Sequence, residues 1–389
     1  MAVLSLEQNW ELMNGEKLSC REVFSKLKAK ELDKTLLCRS EKSRKWKEVS
    51  TRFRIIRNFG ILHSVGQGGF GKVYKAVDIN NGRIVALKVP TDNVLTNFVR
   101  DHNISSQKSE QQAKREAKAK IGQMFSQEVA LTARLSMCPH VVSVIDHCIH
   151  VPYIAIEFCN GGTLTQRMKE PYTVEDILEW SYQIAKALDA AHTLRPDRLI
   201  HRDLKPSNVL LHDNVLKVSD FGTSKMSYDS KSLQSLDGGY TPFYAAPEAF
   251  DGKATCATDI WSFGVMLYVF SCHEYPFQGN ATPELIMKIN FKEPTPLNEA
   301  QKENMPMKFI ELVERCLQKK ACDRPEASEC VAVLHELLYP QPVAVQQKIV
   351  EPTLYEEPQS DEESESKAAV EDEEHEEEDE DIDFGSLGW

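Results

Sequence analysis

Residues 201–211 read His201-Arg202-Asp203-Leu204-Lys205-Pro206-Ser207-Asn208-Val209-Leu210-Leu211, a polar stretch that runs straight into an apolar one. Asp220-Phe221-Gly222 follows, and Ala246-Pro247-Glu248 closes the series. On the C-terminal side helical patterns dominate, at Val174–His192, Asp259–Ser271 and Phe309–Leu317. The N-terminal side has strand character instead. Phe59–Val65, Lys72–Asp78 and Arg83–Val89 are short apolar-rich runs parted by glycine turns, and Asn81-Gly82 is a hairpin signal. Strands first and helices after predict an α+β chain in two lobes, a small β-rich N-lobe and a larger helical C-lobe.

Two stretches of the N-terminal part carry chemistry. Gly66-Gln67-Gly68-Gly69-Phe70-Gly71-Lys72-Val73 lets backbone approach a ligand closely, because no Cβ intrudes. A plain glycine turn and a dinucleotide fingerprint share this spacing, but the fingerprint needs a helix directly after the glycines. Val73-Tyr74-Lys75-Ala76-Val77 is strand-like, so the loop is expected to be a hairpin lid over phosphates. Further on, Val85-Ala86-Leu87-Lys88-Val89 sets a lysine inside an apolar strand. Such a lysine either faces solvent at a sheet edge or serves a phosphate, since burying it unpaired is costly. Glu128 is its natural partner, or else an exposed helix glutamate. It stands among Phe125, Val129, Leu131 and Leu135 in a long helical pattern at 110–135. The i,i+4 pairs Glu110–Lys114 and Glu116–Lys120 support that helix.

Taken in this order, the motifs resemble the eukaryotic protein kinase family across residues 56–338. The resemblance implies a protein-kinase-like bilobal fold, with ATP as phosphoryl donor, Mg2+ as cofactor and protein substrates as acceptors. It implies that Asp203 accepts the proton of the acceptor hydroxyl and that Lys205 touches the γ-phosphate. Asn208 and Asp220 are implied to hold two Mg2+ ions, and Lys88, paired to Glu128, to reach the phosphates. The expected nucleotide-binding positions are Gly66, Gly68, Gly69 and Gly71 in the loop, with Val65, Val73, Ala86 and Leu210 around them. Glu157 to Cys159 would form the hinge whose backbone reads adenine, and Ile156 would guard the pocket behind. Core packing is the competing reading for the apolar members. Asp259 matches the family's helix aspartate that braces the catalytic loop, and Arg324 its buried arginine that pairs with Glu248.

Lys205 is what serine/threonine kinases carry in this loop. Thr241-Pro242-Phe243-Tyr244 resembles their substrate-binding segment, with Thr241 expected against Asp203 and Lys205, although Tyr240 stands where the family usually shows glycine. Lys217–Lys225 and Trp261–Val265 look like the tyrosine-kinase-like group. Arg202 is implied to grip a phosphate on the serine-rich stretch before Ala246, and phosphorylation between Ser224 and Ser235 is expected to activate. The expected function is a serine/threonine protein kinase in signalling. The alternative is a kinase-fold pseudokinase scaffold acting through its tails. Scaffolds of that kind usually lack one of Lys88, Glu128, Asp203, Asn208 and Asp220, all present here. A small-molecule phosphotransferase of related fold fits Ala246-Pro247-Glu248 less well.

The 389 residues are 41% apolar and 27% charged, enough to bury a core without disulfides. No apolar run approaches the roughly 20 residues that span a bilayer, and the start shows no secretory pattern. A cytoplasmic or nuclear protein with no membrane partner is expected. The ten cysteines include no CxxC pair and read as reduced thiols. The net charge of −13 is uneven, because residues 351–389 hold 18 acidic residues against one lysine. That block reads as an acidic disordered tail for a basic partner or for the basic N-terminus, with Ser360 in an acid-directed phosphorylation context. Its sign argues against nucleic acid. Residues 339–350 read as a linker. Residues 1–55, with 13 basic and 8 acidic side chains, read as a basic N-terminal extension, partly helical around Val23, Phe24, Leu27 and Leu32. Lys88 and Glu128 are 40 positions apart, longer than the family usually shows. Residues 91–120 therefore read as an insertion, either tolerated at the surface or able to move the glutamate or recruit a partner.

Overall fold

The computed structural model describes residues 4, 6, 8–32, 34, 37–40, 47–49, 53–68, 71–101, 110–196, 198–221, 242–279 and 281–340. Gly69, Gly222, Thr241, the serines from Ser224 to Ser235, most of the linker and the acidic tail lie outside them.

A six-stranded antiparallel sheet forms the N-lobe, in the order β5-β6-β7-β8-β10-β9. Its strands are β5 (Arg54–Ile56), β6 (Phe59–Gly68), β7 (Gly71–Asp78), β8 (Ile84–Val89), β9 (Val144–Cys148) and β10 (Tyr153–Glu157). Their β-branched and aromatic residues bury one face around Phe59 and Tyr153, whose rings meet edge to face at 5.5 Å. The glycine-rich stretch is the tip of the β6–β7 hairpin, as its following strand predicts: Gly66 pairs with Val73 and Gly68 with Gly71. Gly71 has φ +145°, and a Cβ there would lie 2.1 Å from the Val89 carbonyl oxygen, so only glycine fits.

Residues 1–55 build more than the expected helix. The helix is present as α1 (Cys20–Lys28), started by a Ser19–Glu22 capping box. It buries Cys20, Val23, Phe24 and Leu27 on one face. Beside it lies a second antiparallel sheet, β2-β1-β3-β4, made of β1 (Asn9–Leu12), β2 (Lys17–Ser19), β3 (Leu37–Ser40) and β4 (Lys47–Glu48). Their apolar cluster includes Leu62 and Val77 of the N-lobe sheet. The ring of Phe24 sits so close over Gly60 that a Cβ there would meet it at 2.7 Å. This region is therefore an added layer of the N-lobe.

Within the stretch read as an insertion, residues 92–101 and 110–120 form α2 (Asp92–Asp101) and the first turns of α3 (Glu110–Ala133), which bury Leu95, Phe98, Ala113, Ala117 and Ile121 in a cluster shared with Phe125 and with Ile154 of the sheet. The Glu116–Lys120 pair forms, at 3.6 Å.

The C-lobe begins with α4 (Leu164–Arg167) and α5 (Val174–His192), continues through the hairpin β11 (Val209–His212) and β12 (Val215–Val218), and ends in helices. These are α6 (Cys256–Cys272), α7 (Thr282–Phe291), α8 (Glu299–Glu303), α9 (Met307–Cys316) and α10 (Ala327–Leu338). All residues of α6 from Thr258 to Phe270 are buried, and α5 and α9 pack against it. No helix among the described residues is long and apolar enough to cross a membrane, and all ten cysteines are free.

Candidate active site

Asp203 lies in the loop between α5 and β11, and its carboxylate is held from two sides. Lys205 Nζ donates to both oxygens, at 2.9 and 2.8 Å. Asn208 Nδ2 donates to Oδ2 at 3.0 Å and to the Asp203 carbonyl at 2.7 Å. The loop itself is pinned from below by Asp259, fully buried in α6. Its Oδ2 accepts the His201 N–H and its Oδ1 the Arg202 N–H, both at 2.8 Å. His192 Nε2 donates to the same carboxylate at 2.8 Å. These bonds hold Arg202 at φ +68°, a conformation that persists only when its surroundings over-determine it.

His201, also fully buried, ties this loop to the next motif. Its Nδ1 accepts the Asp203 N–H at 3.2 Å, so Nε2 carries hydrogen and donates to the Ser219 carbonyl at 2.8 Å. Ser219 returns its own N–H and Oγ to the Asn208 carbonyl. The next residue, Asp220, has φ +61°.

Lys88 arrives from β8, where it pairs with Val73 on one side and Ile154 on the other. Its Nζ lies 2.8 Å from Asp220 Oδ1 and 3.6 Å from Glu128 Oε1. Two carboxylates thus share one ammonium in a poorly hydrated place. Burial works against the Lys88 charge, but Asp220 and Glu128 outweigh it and raise its pKa above the ordinary lysine range. Burial would likewise raise Asp220; the nearer ammonium overcomes this and holds the carboxyl below its usual value. Glu128, farther from Lys88 and facing a second carboxylate, is pushed up, chiefly by burial.

The nucleotide-binding expectations fall around this cluster. Val65 is exposed on β6; Val73 and Ala86 lie on β7 and β8, with Ala86 opposite Ile156 of β10; Leu210 on β11 bridges to Thr163. Ile156, Ile154, Thr132, Lys88 and Glu128 line a cavity of about 20 Å³ behind, room for one water. At the hinge the Glu157 N–H is taken by the Ser143 carbonyl, at 3.0 Å. Its side chain turns away to Lys217 at 3.0 Å and to the Ser143 N–H at 2.7 Å. Of the expected nucleotide-binding residues Gly69 lies outside the described residues, as does Thr241, expected against Asp203 and Lys205.

Arg324 forms the expected pair with Glu248, bidentate at 2.7 and 2.9 Å, and donates as well to the carbonyls of Gln318, Ala257 and Lys319. Sequence reasoning missed the Lys217–Glu157 pair and the part of His192. Lys217 stands three positions before Asp220 and alternates with buried Leu216 and Val218, but nothing local names its partner.

Comparison with known proteins agrees with this geometry. The protein kinase domain family matches residues 59–335. The chain belongs to the protein kinase family. Over 272 residues the chain is 30% identical to a probable serine/threonine-protein kinase of Clostridium acetobutylicum, covering 68% of this chain and 37% of that one. It is 32% identical over 231 residues to the serine/threonine/tyrosine-protein kinase HT1 of Arabidopsis thaliana, covering 57% of each. It is 30% identical over 245 residues to the carbon catabolite-derepressing protein kinase of Saccharomyces cerevisiae, covering 60% and 34%. The chain thus spans little more than a third of the bacterial relative and just over half of the plant one.

Proposed function

We propose that this chain is a serine/threonine protein kinase that transfers the γ-phosphoryl group of ATP to hydroxyls of protein substrates. One observation carries the reading: Lys88, Glu128 and Asp220, from three distant stretches, meet in a single ion-pair cluster beside the Asp203 loop. The transfer makes a bond from the acceptor oxygen to the γ-phosphorus and breaks the bond to the β–γ bridging oxygen, releasing ADP. Asp203 orients the hydroxyl and takes its proton, and its two neighbours, Lys205 and Asn208, keep the carboxylate aimed. Lys205 then adds positive charge where the transferred group becomes more exposed. Lys88 supplies a fixed cation for the phosphates, and the glycine hairpin covers them and excludes water.

The donor set suits Mg2+. Asp220 offers a carboxylate, and Asn208, whose amide hydrogens are used on Asp203, offers an amide oxygen. These are the few hard oxygen ligands Mg2+ takes when phosphates and water complete its shell. When bound, the ion offsets the charge of the phosphates.

A silent scaffold is not favoured, because none of the five expected polar side chains is missing. Serine/threonine specificity rests on Lys205 against both Asp203 oxygens. The tyrosine-kinase-like placement rests on sequence likeness alone, and the acidic tail's basic partner and the cytoplasmic or nuclear setting on composition. The test is transfer from radiolabelled ATP to a generic basic protein. Wild type is expected to label it and Asp203→Asn to lose at least about a hundredfold, the scale of general-base removal. Equal labelling by both would overturn the proposal.

A further inference from the structure

The helix that carries Glu128 is held along a stripe that begins about four turns before Glu128 and runs up to it. Along α3 the residues buried against α2 and the sheet are Ala113, Ala117, Ile121 and Phe125. At 3.6 residues per turn these four sweep an arc of about 120°, and Glu128 falls in its middle. Glu128 is therefore the polar continuation of an apolar stripe, and whatever fixes the stripe fixes the direction of the carboxylate.

The stripe is fixed by α2. Thr91 Oγ1 accepts the Val94 N–H and starts the helix, and Leu95 and Phe98 then pack on α3, with Leu95 2% exposed. The α3 residues beneath are small, Ala113 and Ala117, so the two helices approach closely and a rotated α3 would put larger or charged side chains in the contact. From Ala113 to Glu128 is about 22 Å of helix. A second seat lies between them. Gly122 faces the carbonyl of Ile149 in the β9–β10 turn, where a Cβ would meet oxygen at 2.3 Å. The same cluster ends on Ile154, which stands opposite Lys88 in the sheet. One continuous packed surface thus joins α2 to both members of the ion pair.

We propose that α2 is a built-in brace for the active site, in which Leu95 and Phe98 act as positioning residues that keep Glu128 on Lys88 without a second protein. The inference rests on the reading of Lys88 and Glu128 as part of the phosphoryl-transfer site.

The test uses the full chain and measures kcat and KM for ATP together with Tm for wild type, Phe98→Ala, Phe98→Leu, Glu128→Gln and the double variant Phe98→Ala/Glu128→Gln. A core control, Ile310→Ala in α9, lowers Tm without touching the brace. Phe98→Ala is expected to lose roughly tenfold to a hundredfold in kcat/KM for ATP, the scale of a small misplacement of catalytic groups. Phe98→Leu recovers most of it, and Ile310→Ala, assayed well below its Tm, stays near wild type. In the double variant the two losses do not add, because both act through one ion pair. Additive losses, or a Phe98→Ala enzyme that is only less heat-stable, would overturn the brace and leave the kinase reading intact. Wild-type turnover that survives Asp203→Asn would instead remove the kinase reading.

Discussion

Lys88 meets two carboxylates, and the distances show which one it sits closer to. Asp220 at 2.8 Å takes the stronger share; Glu128 at 3.6 Å, largely withdrawn from water and beside a like charge, has its pKa pushed up to about 7. An unfolded glutamate titrates near 4.3. Between these two values the folded chain binds more protons than the unfolded one, so this group lowers stability as pH rises from about 4.3 to about 7. Glu128→Gln is neutral at every pH and escapes that loss. Its Tm relative to wild type is expected to improve across this window, by scanning calorimetry, even as its activity falls. A difference in Tm that does not change with pH would contradict the assignment. The same residue scale explains what the sequence revealed. Asp203, Lys205, Asn208 and Asp220 lie in the short stretches that carry the resemblance to the protein kinase family. The Lys217–Glu157 pair joins a β12 residue to the hinge and leaves no local pattern.

At the scale of elements, legibility followed periodicity. The spacing of Val23, Phe24 and Leu27 revealed α1, although Leu32, read with them, lies past its end, and the apolar runs at 59–65, 72–78 and 83–89 revealed β6, β7 and β8. The strands around α1 did not show. They are two to four residues long, too short for alternation to register, and they exist because tertiary partners complete them. The α2 helix was hidden differently: Val94, Leu95, Phe98 and Val99 make an apolar face on a helix only ten residues long, and its seat, Ala113 and Ala117, lies on another helix. The added N-terminal layer joins the lobe through Phe24, which packs edge to face on Phe53 at 5.3 Å and covers Gly60. Phe24→Ala is expected to cost about 3–5 kcal/mol, the usual result of truncating a buried phenylalanine. Urea unfolding checks this, and a change under about 1 kcal/mol would mean that the layer folds without lending stability to the lobe.

Across the molecule, the two lobes contribute unlike things to one place. The β-rich lobe brings Lys88 on a strand and Glu128 on a braced helix; the helical lobe brings Asp203, Asn208 and Asp220 on loops whose backbone is fixed by Asp259 and His201. Two of those loop residues, Arg202 and Asp220, are held at positive φ by bonds that the C-lobe core makes rigid. Arg324 and Glu248 do similar work lower down, where a guanidinium whose side chain is fully buried meets the Ala246-Pro247-Glu248 segment. A fold-scale reading was available from the order of motifs because each motif ends or begins an element. The central claim is that these groups converge on one Mg2+-bound nucleotide. Calorimetric titration of the full chain with ATP, with and without Mg2+, tests it most directly. Wild type is expected to bind in the micromolar to millimolar range usual for enzyme substrates, more tightly with Mg2+, and Asp220→Asn to lose that dependence. An affinity for ATP that Mg2+ leaves unchanged in wild type, or no affinity at all, would contradict the account.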